Sequence, residues 1–252
     1  MPMEHDFYKS FFEIEKKHWL MRARRANILD VLKKYNKKQP KDIKILDFGC
    51  ASGVFPGELA KLGYDVIGLD ASPEAIELGH KEGIKNIALS SGTHIDLPDN
   101  HFDIALLLDV VEHLEDPSWA LKEIERVVKP NGIVIITVPA FPFLWGVMDE
   151  VAHHFRRYTI PTLMGGVAGS TDLSVVRKTY YNTFLFPPIA LVRLFSRWFN
   201  IKGRESDFDL SNPFMDKIFF RIISLERLFL RHVNFPFGVA ILSVFRKPKA
   251  TI

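Results

Sequence analysis

One stretch constrains this chain more than any other: Ile45-Leu46-Asp47-Phe48-Gly49-Cys50-Ala51-Ser52-Gly53. Ile43 to Phe48 is a short apolar run of the type a parallel sheet buries on both faces. Gly49 and Gly53 follow where the backbone must turn sharply and lie close to a ligand. A second apolar run, Asp65-Val66-Ile67-Gly68-Leu69, ends in Asp70, about 20 residues further on. An acid at the tip of a second parallel strand can accept hydrogen bonds from both hydroxyls of a ribose. Glycine loop and distant acid together predict an adenosine-containing ligand.

The glycine spacing narrows the choice. A dinucleotide site wants Gly-x-Gly-x-x-Gly, which seats a pyrophosphate on the helix N-terminus. Here Gly53 is followed by no glycine until Gly57, which weighs against an NAD-dependent oxidoreductase. The loop instead resembles the Asp-x-Gly-x-Gly-x-Gly motif of class I S-adenosylmethionine-dependent methyltransferases, with Ala51 in place of the middle glycine. Leu97-Pro98-Asp99-Asn100-His101-Phe102-Asp103, Leu108-Asp109-Val110-Val111-Glu112-His113-Leu114 and Val128-Lys129-Pro130-Asn131-Gly132 follow. They are similar to that family's approach to strand four, the end of that strand, and the turn before strand five. The resemblance spans roughly residues 43 to 182.

It implies an α/β fold: a Rossmann-like, seven-stranded, mostly parallel sheet with helices on both faces. It also implies S-adenosyl-L-methionine as cofactor and S-adenosyl-L-homocysteine as product. The positions carried over as cofactor contacts are Asp47, Gly49, Cys50, Ala51, Gly53, Asp70, Ala71 and Asp109. Where relatives often carry Asp-Ala for the adenine amino group, this chain has Thr93-His94, so adenine contacts are expected from Thr93, His94 and backbone.

The 252 residues, 47% hydrophobic, suffice for one domain with one sizeable core. We expect lid helices over 1–42, a cofactor-binding core over 43–182, a helical insert over 183–237, and a last strand with its tail over 238–252. Asp116-Pro117-Ser118 reads as a helix start. The single Cys50 leaves no intrachain disulfide, and the N-terminus lacks a signal-peptide pattern, so a cytoplasmic protein is expected. A net charge of +3 does not by itself argue for nucleic acid, and no stacking platform accompanies the basic N-terminal helices.

Glu15 to Arg25 contains a His-Trp-x-x-x-x-Arg-Arg segment that resembles one preceding the core in a branch of these enzymes. It implies a helix closing over the cofactor, with Trp19 excluding water at the substrate side and Arg24 pairing with the cofactor carboxylate. An ordinary packing helix anchored by Trp19 is the other reading.

After strand five, Trp145 precedes His154-Phe155-Arg156-Arg157-Tyr158, similar to the His-x-Arg-Arg-Tyr loop of the same branch. Such a loop lies over the crevice where these sheets hold ligands. Trp145, Arg156 and Arg157 are therefore acceptor-side candidates, the arginines as a fork for a carboxylate or phosphate. His154, His113 and Tyr158 are the candidate catalytic groups, His154 as proton acceptor for an attacking hydroxyl. Arginines that merely shape the loop by bonding backbone carbonyls are the alternative. Asp109, Glu112 and His113 resemble the acid-x-x-Glu-His ligand set of Mg-dependent O-methyltransferases. The same residues are widespread in metal-free relatives, and no metal is the expectation.

The last two strands are expected at Leu173 to Tyr181 and Val239 to Phe245. Between them lie two helical stretches, Pro187 to Phe199 and Pro213 to Arg231, with arginines at 193, 197, 204, 221, 227 and 231. Neither stretch has the roughly 18 apolar residues a span requires. Two readings stay open: a cap lining an apolar acceptor pocket, or Phe/Trp/Arg faces lying on a bilayer. The function expected is O-methylation of a small apolar, anionic or lipid-linked acceptor. A non-catalytic S-adenosylmethionine-binding or peripheral membrane module is the alternative.

Overall fold

The computed structural model describes residues 5–198 and 213–249. Phe199 and Arg204 lie outside that range, as does the side chain of Arg197. Two helices come first, α1 (His5–Lys17) and α2 (Trp19–Tyr35). Alternating strands and helices follow: β1 (Lys44–Phe48), α3 (Val54–Lys61), β2 (Asp65–Asp70), α4 (Pro73–Lys81), β3 (Ile87–Leu89), β4 (Phe102–Leu108), α5 (Ser118–Val127) and β5 (Val128–Pro139). The remainder is α6 (Val147–Val151), α7 (Ile160–Ser170), β6 (Ser174–Tyr181), α8 (Phe186–Trp198), α9 (Pro213–Leu230) and β7 (Ala240–Arg246).

The described strands form one seven-stranded sheet in the order β3-β2-β1-β4-β5-β7-β6. Pairings from β3 through β5 are parallel, while β7 runs antiparallel between β5 and β6. Strand order reverses between β1 and β4, and a crevice opens there beyond the carboxyl ends of both. The expected Rossmann-like architecture is the one observed, with α8 and α9 inserted before the last strand.

Side-chain alternation along the strands sorts the core into two layers. On one face Leu46, Ala105, Leu107, Val134 and Ile136 pack against Leu121, Ile124 and Val127 of α5 and Leu163 and Val167 of α7. On the other, Ile45, Ile104, Leu106, Ile133 and Ile135 meet Ile28, Val31 and Leu32 of α2, Phe55 and Leu59 of α3 and Leu230 of α9. Burial on both faces is why these strands read as continuous apolar runs.

Two local expectations need correction. The turn expected at Val128–Gly132 is a bulge inside β5: Phe102 pairs with Val128, but Ile104 pairs with Ile133. Asn131 takes a positive φ of 64° to make it, and its N–H donates to the Lys247 carbonyl at 3.0 Å. At the start of α5, Asp116 accepts the Ser118 N–H at 2.9 Å, but Pro117 occupies the cap position, just before the first helical turn.

Candidate functional site

Two clusters flank the crevice. The first is the glycine loop. The Gly49 and Cys50 N–H groups both donate to the Leu69 carbonyl, at 2.7 and 3.0 Å, which bends the chain back onto β2. Gly49 has φ +78°, and a Cβ there would sit 2.5 Å from Val110 Cγ2. The glycine is thus required by its positive φ and by contact with Val110 in the segment after β4. Gly79, missed in the sequence, has a similar role: a Cβ would lie 2.4 Å from both the Ser52 carbonyl and Ile87 Cδ1. It lets α4 approach the loop.

Asp70 accepts the Ala51 N–H at 2.7 Å and the Ser72 N–H at 2.9 Å, so it ties the loop to the end of β2. Burial raises its pKa against these hydrogen bonds. Asp47 is buried, and desolvation, aided by Glu15, lifts its pKa to about 7. Glu15 comes from α1 and is also pushed to about 7 by burial, with Oε2 lacking a partner in the described structure. The sequence marks lid helices over 1–42 but does not single out Glu15 as the residue that α1 brings to the loop. The cluster of Phe12 with Val54 and Leu78 holds α1 there. Cys50 is a buried thiol, Ala71 lies at the surface, and Thr93 and His94 are exposed. His94 Nδ1 sits 2.7 Å from Glu123 Oε2.

Arg24 has a partner within the protein. Its guanidinium pairs with Asp109 at the end of β4, and its Nε is buried without a partner. Asp109 adopts φ 59° and accepts the Thr137 hydroxyl at 2.9 Å. Tyr181, also missed in the sequence, is buried beside this pair; burial and the Asp109 charge push its hydroxyl above its usual range. Trp19 turns away from the loop and packs on Phe219 of α9, ring centroids 5.1 Å apart. Its placement follows the packing reading.

The second cluster surrounds the Val111–His113 turn. Glu112 is wholly buried, and neither carboxylate oxygen has a partner among the described residues. Desolvation, then the Asp109 charge, raises its pKa well above the ordinary value. One ligand atom from each of Glu112, His113 and His154 lies within 4.8 Å of the others. The rings of His113 and His154 meet edge to face at 4.6 Å. His113 is exposed, yet desolvation by its neighbours, with the His154 charge second, lowers its pKa to about 4.

A buried aspartate organises the loop after β5. Asp149 Oδ1 accepts from His154 Nδ1 at 2.9 Å and Arg157 Nε at 2.7 Å, and Oδ2 accepts the Gly146 N–H at 2.8 Å. Burial opposes the charge, but these donors hold its pKa at about 2. The hydrogen bond fixes the His154 ring and leaves Nε2 with the lone pair.

Three candidate residues of this loop have partners within the protein. Arg156 donates to the carbonyls of Leu114 and Glu115 at 3.1 and 2.6 Å, and Arg157 to Asp149 and the Ala140 carbonyl. Arg156 uses one guanidinium nitrogen to tie this loop to the segment after β4, and Arg157 ties it to Asp149 and the end of β5, so both arginines help to shape the loop. Buried Tyr158 donates to the Val111 carbonyl at 3.3 Å and is a strut. Trp145 is half-exposed at the rim.

Residues 46–136 match the family described as "Methyltransferase domain". The chain is similar to a ubiquinone biosynthesis O-methyltransferase of Pelagibacter ubique, 33% identical over 118 residues, covering 44% of this chain and 49% of that one. It is similar to human EEF1A lysine methyltransferase 2, 37% identical over 116 residues, covering 40% and 49%. The chain thus spans about half the length of these curated relatives. Among solved structures, a putative methyltransferase of Haloferax volcanii, in complex with the Trm112 methyltransferase activator, has the same fold: TM-score 0.59, 16% identity, 98% of this chain and 96% of that one covered. The sheet order with its single reversal, the loop tied to Asp70 and the matched segment agree: residues 46–136 form a methyltransferase domain, within a fold of the class I S-adenosylmethionine-dependent type.

Proposed function

We propose that this chain transfers the methyl group of S-adenosylmethionine to an oxygen of a small acceptor that is apolar, anionic or lipid-linked. The observation that carries the reading is Glu112, a buried carboxylate with both oxygens unpartnered among the described residues, set against His113 and His154. A buried carboxyl without a partner costs several kcal/mol in isolation, which is offset when a ligand completes it.

The cofactor carries a sulfonium and an ammonium against one carboxylate, so its charge suits a site rich in acids. Buried Asp47 and Glu15 and half-buried Asp70, all with raised pKa values, supply that site; Asp70 offers acceptors for ribose hydroxyls. When bound, the cofactor supplies an electrophilic methyl group. The chain's own task is then alignment and exclusion of water. An alcohol or phenol acceptor must also lose a proton, and His154, oriented by Asp149, is the group we assign to take it. A second reading is favoured by the same unpartnered Glu112: a divalent cation held by Glu112, His113 and His154. It would supply Lewis acidity toward an acceptor hydroxyl.

Incubating the chain with methyl-labelled S-adenosylmethionine and a total cell extract, then partitioning between organic and aqueous phases, tests this. Label in the organic phase supports an apolar or lipid-linked acceptor. Bound cofactor with no transfer, in extracts supplemented with magnesium or manganese, would favour the non-catalytic module.

A further inference from the structure

Helix α8 is folded inside out for a helix in water. Its inward side carries Ala190, buried, and Ile189, packed against the cluster of Leu185, Ile223 and Trp19. Among its described side chains the cation is inward as well: the Arg193 guanidinium lies against Gly146, where a Cβ would meet Cζ at 2.3 Å. The outward side presents Leu191, 67% exposed, and Val192, 64% exposed, with Leu194 and Phe195 also exposed. A surface helix of a water-soluble domain shows the opposite arrangement, apolar in and charged out. An uncharged outward face of this kind marks contact with another apolar phase.

Helix α9 extends the same character. Leu225, Leu228 and Phe229 are exposed, and Lys217 and Arg221 are exposed on the same side. Its two acids do not counter them at the surface. Glu226 is buried and accepts the Phe184 N–H at 2.9 Å, and Asp216 is half-buried. Neither helix presents an exposed carboxylate among its described residues, so the face is apolar with a cationic margin. No described helix is long and apolar enough to cross a membrane. Apolar residues with basic flanks on a helix too short to span fit the plane of an anionic bilayer.

Position links this face to the site. Through Arg193 and Gly146, α8 abuts the loop that carries Trp145, Asp149 and His154. We propose that α8 and α9 form a docking surface for an anionic phospholipid bilayer, and that the acceptor is an amphiphile reaching the site from that bilayer. The second half of this inference rests on the methyl-transfer reading above; the first does not.

Co-sedimentation with vesicles of phosphatidylcholine alone, and of phosphatidylcholine mixed with phosphatidylglycerol, tests the surface without any acceptor. The full chain is expected to bind the anionic vesicles at low salt and to release as salt rises. The double variant Leu191→Glu/Leu194→Glu is expected to bind at least about tenfold less, and Lys217→Glu/Arg221→Glu to lose the preference for anionic lipid. S-adenosylhomocysteine affinity serves as the folding control, and Leu191→Ser/Val192→Ser replaces the glutamates if they fail it. Wild-type chain left in the supernatant with both vesicles, or leucine variants that bind as well as wild type, would overturn the surface. So would a wild-type dimer that the leucine variants break, because the covering partner is then a second copy. Vesicle binding without S-adenosylhomocysteine affinity would reject the methyl-transfer reading and leave the surface standing.

Discussion

Arg24 of α2 forms an ion pair with Asp109 at the end of β4, 85 residues away in sequence. The pair pins the second N-terminal helix to the strand whose end forms the crevice, and Thr137 holds the other oxygen of Asp109. Arg24 keeps a buried, unpartnered Nε, so pairing with Asp109 does not exhaust its donors. Arg24→Ala is expected to weaken S-adenosylhomocysteine binding about tenfold and to leave affinity for 5′-methylthioadenosine, which lacks the amino-acid part, unchanged. Calorimetry with both ligands decides: equal losses would mean that Arg24 acts only by holding Asp109.

Gly79→Ala places a methyl group 2.4 Å from the Ser52 carbonyl and from Ile87. Backbone cannot move aside as a flexible side chain can, so α4 must shift off the glycine loop. We expect a loss of about 1–3 kcal/mol in unfolding free energy, read from urea midpoints, together with weaker S-adenosylhomocysteine binding. Unchanged values for both would show that the loop and α4 are not rigidly packed.

Asp149→Asn keeps the shape of the residue but removes the charge that orients His154 and binds Arg157. The expected result is a drop in methyl-transfer rate of about tenfold to a hundredfold, with S-adenosylhomocysteine affinity retained. Full activity would remove His154 from the proton-transfer role. In the same assay, a chelator should abolish transfer and added magnesium or manganese restore it if Glu112, His113 and His154 hold a cation; indifference to the chelator would reject that second reading.

Asp103 accepts from Lys38, Lys129 and the Lys44 N–H, and these donors, working against burial, bring its pKa to about 2. A carboxylate whose folded pKa lies below its unfolded value of about 3.9 stabilises above that value and loses its contribution as pH falls. Stability should therefore decline between about pH 4 and about pH 2, by about 1–2 kcal/mol given the exposure of both lysines. Urea titrations of wild type and Asp103→Asn across that window should converge at the acid end. Parallel curves would mean that the ionised form gains nothing on folding.

Much of the core could be read without coordinates because its signals are local. The run through Ile45 and Leu46, the glycines at 49 and 53, and Asp70 at the end of the next apolar run mark strand, turn and strand by residue type and spacing alone. The same logic finds the extra helices before the last strand, since apolar periodicity survives without knowledge of what each helix touches.

What the tertiary structure decided is which groups meet. His113 and His154 share an edge-to-face contact, and Arg24 reaches Asp109, because α2 and the loop after β5 both converge on the carboxyl end of β4. Glu15 and Tyr181 enter the site although neither residue type nor spacing singles them out, and Arg156 spends one guanidinium nitrogen on the carbonyls of Leu114 and Glu115. Sequence spacing governs what a residue can do within its own helix or strand. Long-range packing governs which charges are desolvated together, and so which of them remain available to a ligand. The outward apolar face of α8 is the clearest case: its periodicity predicts an amphipathic helix, but only the packing shows which side faces the protein.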